Sequence, residues 1–284
     1  MSNVWLITGS AAGLGRNLAE AVLAAGHRLV ATARNAQRLD DLVQRYGEQI
    51  RTVELDVTDP VAARNAVQVA VDAFGRLDVL VNNAGYGQLV PFEQTEEAAF
   101  REEFDTNFFG VVNLSRAVVP LMREQRSGHI IQVSSVGGRT ATAGMSAYQS
   151  AKWAVGGFSD VLALELMPLG IHVTTLEPGG MRTNWVIRAA SSEVSVMPEY
   201  QETIGKWQEL LKQYAGNENS DPDKVAQIVL QVAEHAEPPQ RLLIGSDAVH
   251  YAGLSESARA ASDAQWKSVS VSSDFFATPI LPKV

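Results

Sequence analysis

The chain has 284 residues, 46% of them hydrophobic and 19% charged, with 22 glycines and no cysteine. That length suits one large domain with a full core. The charge sum of 23 basic against 32 acidic residues, −9 net, argues against a nucleic-acid or anionic-membrane binder, since both need a basic footprint. Disulfides, thiolate nucleophiles and cysteine zinc sites are excluded. No apolar run approaches the ~18 residues of a membrane span. The first basic residue is Arg16, so no signal peptide is expected, and a cytoplasmic location is the default reading.

The first predicted strand, Val4–Thr8, runs into Thr8-Gly9-Ser10-Ala11-Ala12-Gly13-Leu14-Gly15 and then a helix marked by Leu18, Ala19, Val22 and Leu23. Gly9 permits a tight turn off the strand, Gly13 lets backbone approach a pyrophosphate, and Gly15 lets the helix pack near the sheet. The spacing G-x-x-x-G-x-G differs from the common G-x-G-x-x-G fingerprint, but its place after the first strand marks a nucleotide site. Gly26-His27 closes that helix, and Arg28–Ala33 forms a second strand that ends on Arg34. Thr52–Leu55 is the third, followed by Asp56-Val57 and a helix opened by Asp59-Pro60. Val79–Val81 is the fourth, followed by Asn82-Asn83-Ala84-Gly85. Glu96-Glu97 after Thr95 reads as a helix start, and Glu102-Glu103 as a solvated helix face before Asn107. The fifth strand, His129–Ser134, ends at Ser135, with Tyr148 and Lys152 beyond it at i and i+4 on one helix face. Gly170 ends that helix; the sixth strand, His172–Leu176, leads to Pro178-Gly179 and Thr183, and Arg241–Ile244 is the seventh.

Several of these runs are apolar at consecutive positions and alternate with amphipathic stretches, which predicts strands buried on both faces of a parallel sheet. The expected architecture is α/β: a doubly wound, seven-stranded parallel sheet with helices on both faces. One domain spans residues 1–250, with a substrate lid at 185–214, and residues 251–284 form a C-terminal helix or tail that packs on it or stays partly flexible. Residues 185–214 are too long for an ordinary connection and hold Trp185, Val186, Ile187, Val194, Val196, Met197, Tyr200, Ile204 and Trp207. The five histidines show no ligand spacing, and no metal site is expected.

Taken in order, Thr8–Gly15, Asp56-Val57, Asn82–Gly85, Asn107, Ser135, Tyr148-x-x-x-Lys152 and Pro178-Gly179 with Thr183 resemble the motifs of the short-chain dehydrogenase/reductase family over roughly residues 3–250. The resemblance implies a Rossmann fold and hydride transfer between a nicotinamide cofactor and a ketone or aldehyde. Ser135, Tyr148, Lys152 and Asn107 would be the catalytic set. Lys152 would also grip the nicotinamide ribose, and Asn107 would hold a water that relays protons. Thr8, Gly9, Ser10, Gly13, Leu14, Gly15, Arg34, Asp56, Val57, Asn83, Ala84, Gly85, Pro178, Gly179 and Thr183 join Tyr148 and Lys152 as cofactor-binding residues. Tyr86, Met145 and Trp185 would line the substrate side. The family's homodimers and homotetramers imply association through the segments Glu96–Arg123 and Tyr148–Leu169.

A free phenol has a pKa of about 10, and a neighbouring ammonium favours its ionised form; Lys152 is therefore expected to lower Tyr148 by ~2–3 pH units. Ser135 would hydrogen-bond the substrate oxygen. At the end of the second strand, Ala33 stands where enzymes that use NAD carry an acid, and Arg34 follows. Ser10 would add a hydrogen bond to a 2′-phosphate, so NADP(H) is expected over NAD(H), although Ala12 replaces a base frequent in such loops. A catalytically silent NADP(H)-binding sensor on the same fold is the alternative. A nucleotide-sugar isomerase is disfavoured because no large C-terminal substrate domain follows.

Overall fold

The computed structural model describes residues 2–190 and 194–276. Its seven strands are β1 (Val4–Ile7), β2 (Arg28–Ala33), β3 (Ile50–Glu54), β4 (Val79–Asn82), β5 (Gly128–Val133), β6 (Ile171–Pro178) and β7 (Arg241–Ile244). All pair in parallel, in the order β3-β2-β1-β4-β5-β6-β7. The expected sheet is present, with strand ends shifted by a residue or two. Because β1 pairs with both β2 and β4, the connections leave in opposite directions there, and a crevice opens at the carboxyl ends of the strands.

Two apolar layers sandwich the sheet. Trp5 and Ile7 point into one, shared with α1 (Gly13–Ala24), α2 (Asp40–Tyr46) and α9 (Pro222–Glu234). Val4 and Leu6 point into the other, shared with α3 (Pro60–Phe74), α5 (Gly110–Gln125) and α6 (Ser146–Leu166). Burial on both faces is why the strands read as apolar runs and not as alternating patterns. The punctuation is physical. The Asp59 side chain accepts from the Val61 N–H with Pro60 in the first turn, and Gly75 and Gly170 adopt left-handed φ of 79° and 76° as their helices end.

Two stretches depart from the expectation. The helix through Asn107 is broken: α4 (Glu97–Phe104) passes into a π turn at Asp105–Phe109 before α5 begins. Thr95 does not cap α4, because its hydroxyl donates to the Pro91 carbonyl at 3.0 Å. At the end of the chain, α10 (Ser246–Val271) is one continuous helix that buries only Ala248 and Ala252. Residues 277–284 lie outside the described residues, as do residues 191–193 in the expected lid. Among the described residues, no helix is long and apolar enough to cross a membrane.

Candidate active site

The crevice at the switch point deepens into a cavity of about 1420 Å³ that runs from the Gly-rich turn to the start of α10. At its inner end, Gly9 takes φ 71° and Gly13 φ 55°, left-handed values that favour glycine. A Cβ on Gly15 would stand 2.3 Å from the Gly9 carbonyl oxygen, so only glycine lets α1 begin this close to the turn. Ala12 precedes α1 and offers no side-chain cap, and the first turn carries no acid. Gly13 and Leu14 line the cavity, so the unsatisfied N–H groups of this turn suit a pyrophosphate.

Thr8 and Asn83 act behind this surface. The Thr8 hydroxyl accepts from the backbone N–H groups of Asn83 and Ala84, both at 2.9 Å, and the Asn83 amide donates to the Thr8 carbonyl at 2.9 Å. The Gly-rich turn and the turn after β4 are thereby locked together. Thr8 and Gly15 shape the site without lining it; Gly9, Leu14, Asp56, Val57, Asn83, Ala84, Gly85, Pro178, Gly179 and Thr183 do line it.

The expectation for Ser10 is overturned. Ser10 is fully buried and donates to the Ile7 carbonyl at 2.9 Å, because the tight turn folds its side chain back on β1 and away from the cavity. The basic character there comes instead from Arg34 and Arg38, both exposed and both lining the cavity beside Ala33. Arg38 was not singled out from sequence. A 3-10 turn at Ala36–Leu39, capped by the Asn35 side chain, brings it around beside the Gly-rich turn, where it donates to the Ala11 carbonyl at 3.5 Å. The signal available was its place four residues after Arg34. Asp56 accepts from the Thr58 N–H and hydroxyl at 2.9 and 2.7 Å, and these bonds, with the nearby Arg34 charge, hold its carboxyl below the usual range.

Ser135, Tyr148, Lys152 and Asn107 converge on the middle of the cavity. The Tyr148 and Trp185 rings lie 5.0 Å apart, tilted by 51°, and Met145 and Tyr86 also line the cavity. The Ser135 hydroxyl accepts from the Gly137 N–H at 3.0 Å, which anchors it at the start of a short turn, and donates to the Pro178 carbonyl at 3.5 Å. The turn is braced from behind. Arg139 and Arg241 each reach the buried Glu177 carboxylate at 2.7 Å, and Arg139 also reaches Glu256 of α10 at 2.5 Å.

Titration departs from the sequence expectation. Burial pushes the Tyr148 phenol up to about 12, against the lowering effect of the Ser135 bond. Lys152 does not offset this: its ammonium donates to the Val133 carbonyl at 2.8 Å and lies 5.6 Å from the Tyr148 ring centroid. Burial brings Lys152 itself down to about 8, with Glu103 acting in the opposite sense.

Glu103 is a further correction. It is 2% exposed, not a solvated face, and burial raises its carboxyl to about 7 against the lowering effects of the Gln88 backbone and the Lys152 charge. It stands four residues before Asn107, one helical turn away, and that spacing was the available clue. The Asn107 amide donates to the Tyr86 and Glu103 carbonyls at 2.7 and 2.8 Å, while its Oδ1 is buried with no hydrogen-bond partner among the described residues. A Cβ on Gly85 would stand 2.5 Å from that oxygen and 3.6 Å from the Lys152 Nζ, so both polar atoms flank one backbone position. The π turn directs Asn107 here, as such turns often do at functional sites.

The histidines are structural where the structure brings them together: His129 bonds Thr174 at 2.9 Å, its ring lies 5.8 Å from that of His172, and burial lowers it to about 3. Among the described residues, no group of acids or histidines is arranged to hold a metal ion. The segment from Trp185 to Tyr214 forms α7 (Trp185–Ala190), a π turn at Gln201–Gly205 and α8 (Lys206–Tyr214). It packs over the site: Val196 and Ile204 are buried with Leu89, Met145 and Tyr148, and Gln208 donates to the Leu89 carbonyl at 3.0 Å.

Comparison with known proteins agrees with this geometry. Residues 3–193 match the short chain dehydrogenase family. The chain is 48% identical to oxidoreductase BOA17 of Botryotinia fuckeliana, over 96% of this chain and all of that one. It superposes on a short-chain dehydrogenase from Streptomyces avermitilis with a TM-score of 0.87 and 36% identity, covering 96% and 98% of the two chains. A short chain dehydrogenase from Burkholderia cenocepacia, solved in complex with NADP, matches with a TM-score of 0.72 and 25% identity over 93% and 97%. The chain therefore belongs to the short-chain dehydrogenase/reductase family of oxidoreductases.

Proposed function

We propose that this protein interconverts a ketone or aldehyde and the corresponding alcohol with NADP(H), using Tyr148, Lys152, Ser135 and Asn107. The observation that carries the reading is the convergence of these four side chains on a cavity that begins at an uncapped helix N-terminus. The nicotinamide, when bound, supplies or takes the hydride. The chain handles the proton. A phenol raised to about 12 rests protonated at neutral pH, the form that donates to a carbonyl oxygen, and the Ser135 hydroxyl holds that oxygen against it. Lys152, with Asn107 Oδ1 near it beside Gly85, returns a proton to Tyr148. Residues 9–14 would hold the pyrophosphate, and the turn after β4 with Pro178-Gly179 would hold the nicotinamide end.

NADP(H) is favoured by two cations, Arg34 and Arg38, at a strand end that carries Ala33 in place of an acid. The NADP complex of the Burkholderia cenocepacia relative is consistent with this. Association of copies is supported by Trp153, Val161 and Leu164, exposed on α6. A panel of carbonyls and alcohols, followed by nicotinamide absorbance with both cofactors, tests the reading. Turnover with a higher kcat/KM for NADPH is expected; cofactor binding with no turnover across the panel would instead mark a silent sensor.

A further inference from the structure

Helix α8 places Trp207, Leu210, Leu211 and Tyr214 at i, i+3, i+4 and i+7, one apolar stripe along an otherwise polar helix. Such a stripe ordinarily lies on the core. Here no residue of α8 is buried, and all four side chains line the catalytic cavity. Leu210 is 55% exposed. Across the gap, α10 turns Tyr251 and Leu254 toward the same space, the latter 57% exposed. Single exposed apolar side chains are ordinary, but five exposed ones on two helices, with the half-buried Leu211 among them, lining one cavity mark a ligand groove. The groove is continuous with the catalytic centre, because Leu211 packs on the cluster that contains Met145 and Tyr148.

Its outer wall is tied in place. Ser255 and Arg259 of α10 both donate to the Arg139 carbonyl, at 2.8 and 3.0 Å, and the Arg259 guanidinium lies 4.9 Å from the Trp153 ring. Among the described residues of α8 and α10 that line the gap, the one formal charge is Asp247. Its carboxylate accepts from the Gly180 N–H at 2.7 Å. Among the described residues of α8 and α10 that line the gap, none is a cation that would meet a tail ending in carboxylate or phosphate; Arg188 of α7, which also lines the cavity, donates to the Asn184 carbonyl.

We propose that the gap between α8 and α10 takes a neutral alkyl tail of the substrate, which leaves the catalytic pocket past Leu211 and lies against Trp207, Leu210, Tyr214, Tyr251 and Leu254. This rests on the carbonyl-reducing reading above and narrows it to long-chain ketones or aldehydes. The test is kcat/KM with NADPH for straight-chain 2-alkanones and aldehydes of about four to about twelve carbons. Burial of each methylene should raise it about two- to fourfold until the tail emerges from the groove. A Leu210→Ser, Leu254→Ser double variant should flatten that rise, whereas Val249→Ser, on the same α10 but not lining the cavity, should leave it as it was.

Turnover of the short compounds with no rise along the series overturns the tail assignment and leaves carbonyl reduction standing. So does a double variant that keeps the full rise. No turnover at any length overturns both. The series on the unaltered chain decides the matter even where the double variant does not fold.

Discussion

Replacing Glu103 with Gln should stabilise the protein at neutral and alkaline pH and leave it unchanged in acid. Burial raises this carboxyl from 4.5 to about 7. That interval, at about 1.4 kcal/mol per pH unit, amounts to about 3 kcal/mol. The sign follows from which state holds the proton. Below pH 4.5 the carboxyl is protonated in folded and unfolded chains alike, and the folded state carries no penalty. As pH rises through 4.5 to 7, the unfolded chain ionises first, so the folded state loses stability, and the loss is complete above 7. Glutamine keeps the shape of the side chain and has no charge to bury. The attraction of the ionised carboxylate for Lys152 is already contained in that interval. Glu103→Gln is therefore expected to unfold about 1–3 kcal/mol harder than the parent at pH 8, and within a few tenths of it at pH 4.5. Urea unfolding of both proteins at the two pH values reads this directly. Equal destabilisation at both would refute the reasoning, since a buried charge cannot produce a pH-independent loss.

Three further outcomes are expected. Arg34→Leu with Arg38→Leu should lower NADPH affinity by about 10- to 100-fold and leave NADH nearly unaffected, because charge-assisted bonds from these two exposed side chains together contribute about 1.5–3 kcal/mol; titration by nicotinamide fluorescence checks it. Gly15→Ala should cost about 1–3 kcal/mol of stability in thermal unfolding, as its Cβ meets the Gly9 carbonyl oxygen at 2.3 Å and the Asn83 amide nitrogen at 2.4 Å, both held in the locked pair of turns. Hydrogen exchange at residues 185–190 and 194–214 should slow on adding cofactor and substrate; unchanged exchange there would refute closure of this segment over the site.

The sheet was legible because a strand covered on both faces writes itself as an apolar run, and β2 was bounded to the residue for that reason; the edge strand β7, only partly buried, was bounded by its short apolar run Leu242–Ile244. The Gly-rich turn and the Tyr148–Lys152 pair were legible because each depends on local spacing. What escaped was set by three-dimensional packing. Glu103 looks solvated as half of an acidic doublet, but α4 buries it beneath the Tyr86–Gln88 backbone. Ser10 looks available in a phosphate turn, yet the tightness of that turn folds its hydroxyl onto Ile7. Arg38 reaches the cavity only through the 3-10 turn after β2. The phenol of Tyr148 was expected to be lowered by Lys152; the helix does place the pair together, but the ammonium is drawn to the Val133 carbonyl and burial governs both groups. The groove between α8 and α10 joins segments some forty residues apart, with β7 between them, and no local pattern announces it.

The measurement closest to the central claim compares the parent with Tyr148→Phe, following NADPH oxidation by a ketone and NADPH binding on the same samples. Loss of the hydroxyl alone should abolish turnover while the dissociation constant for NADPH stays within about twofold. Substantial turnover by Tyr148→Phe would contradict Tyr148 as the proton donor, and with it the mechanism built on this site.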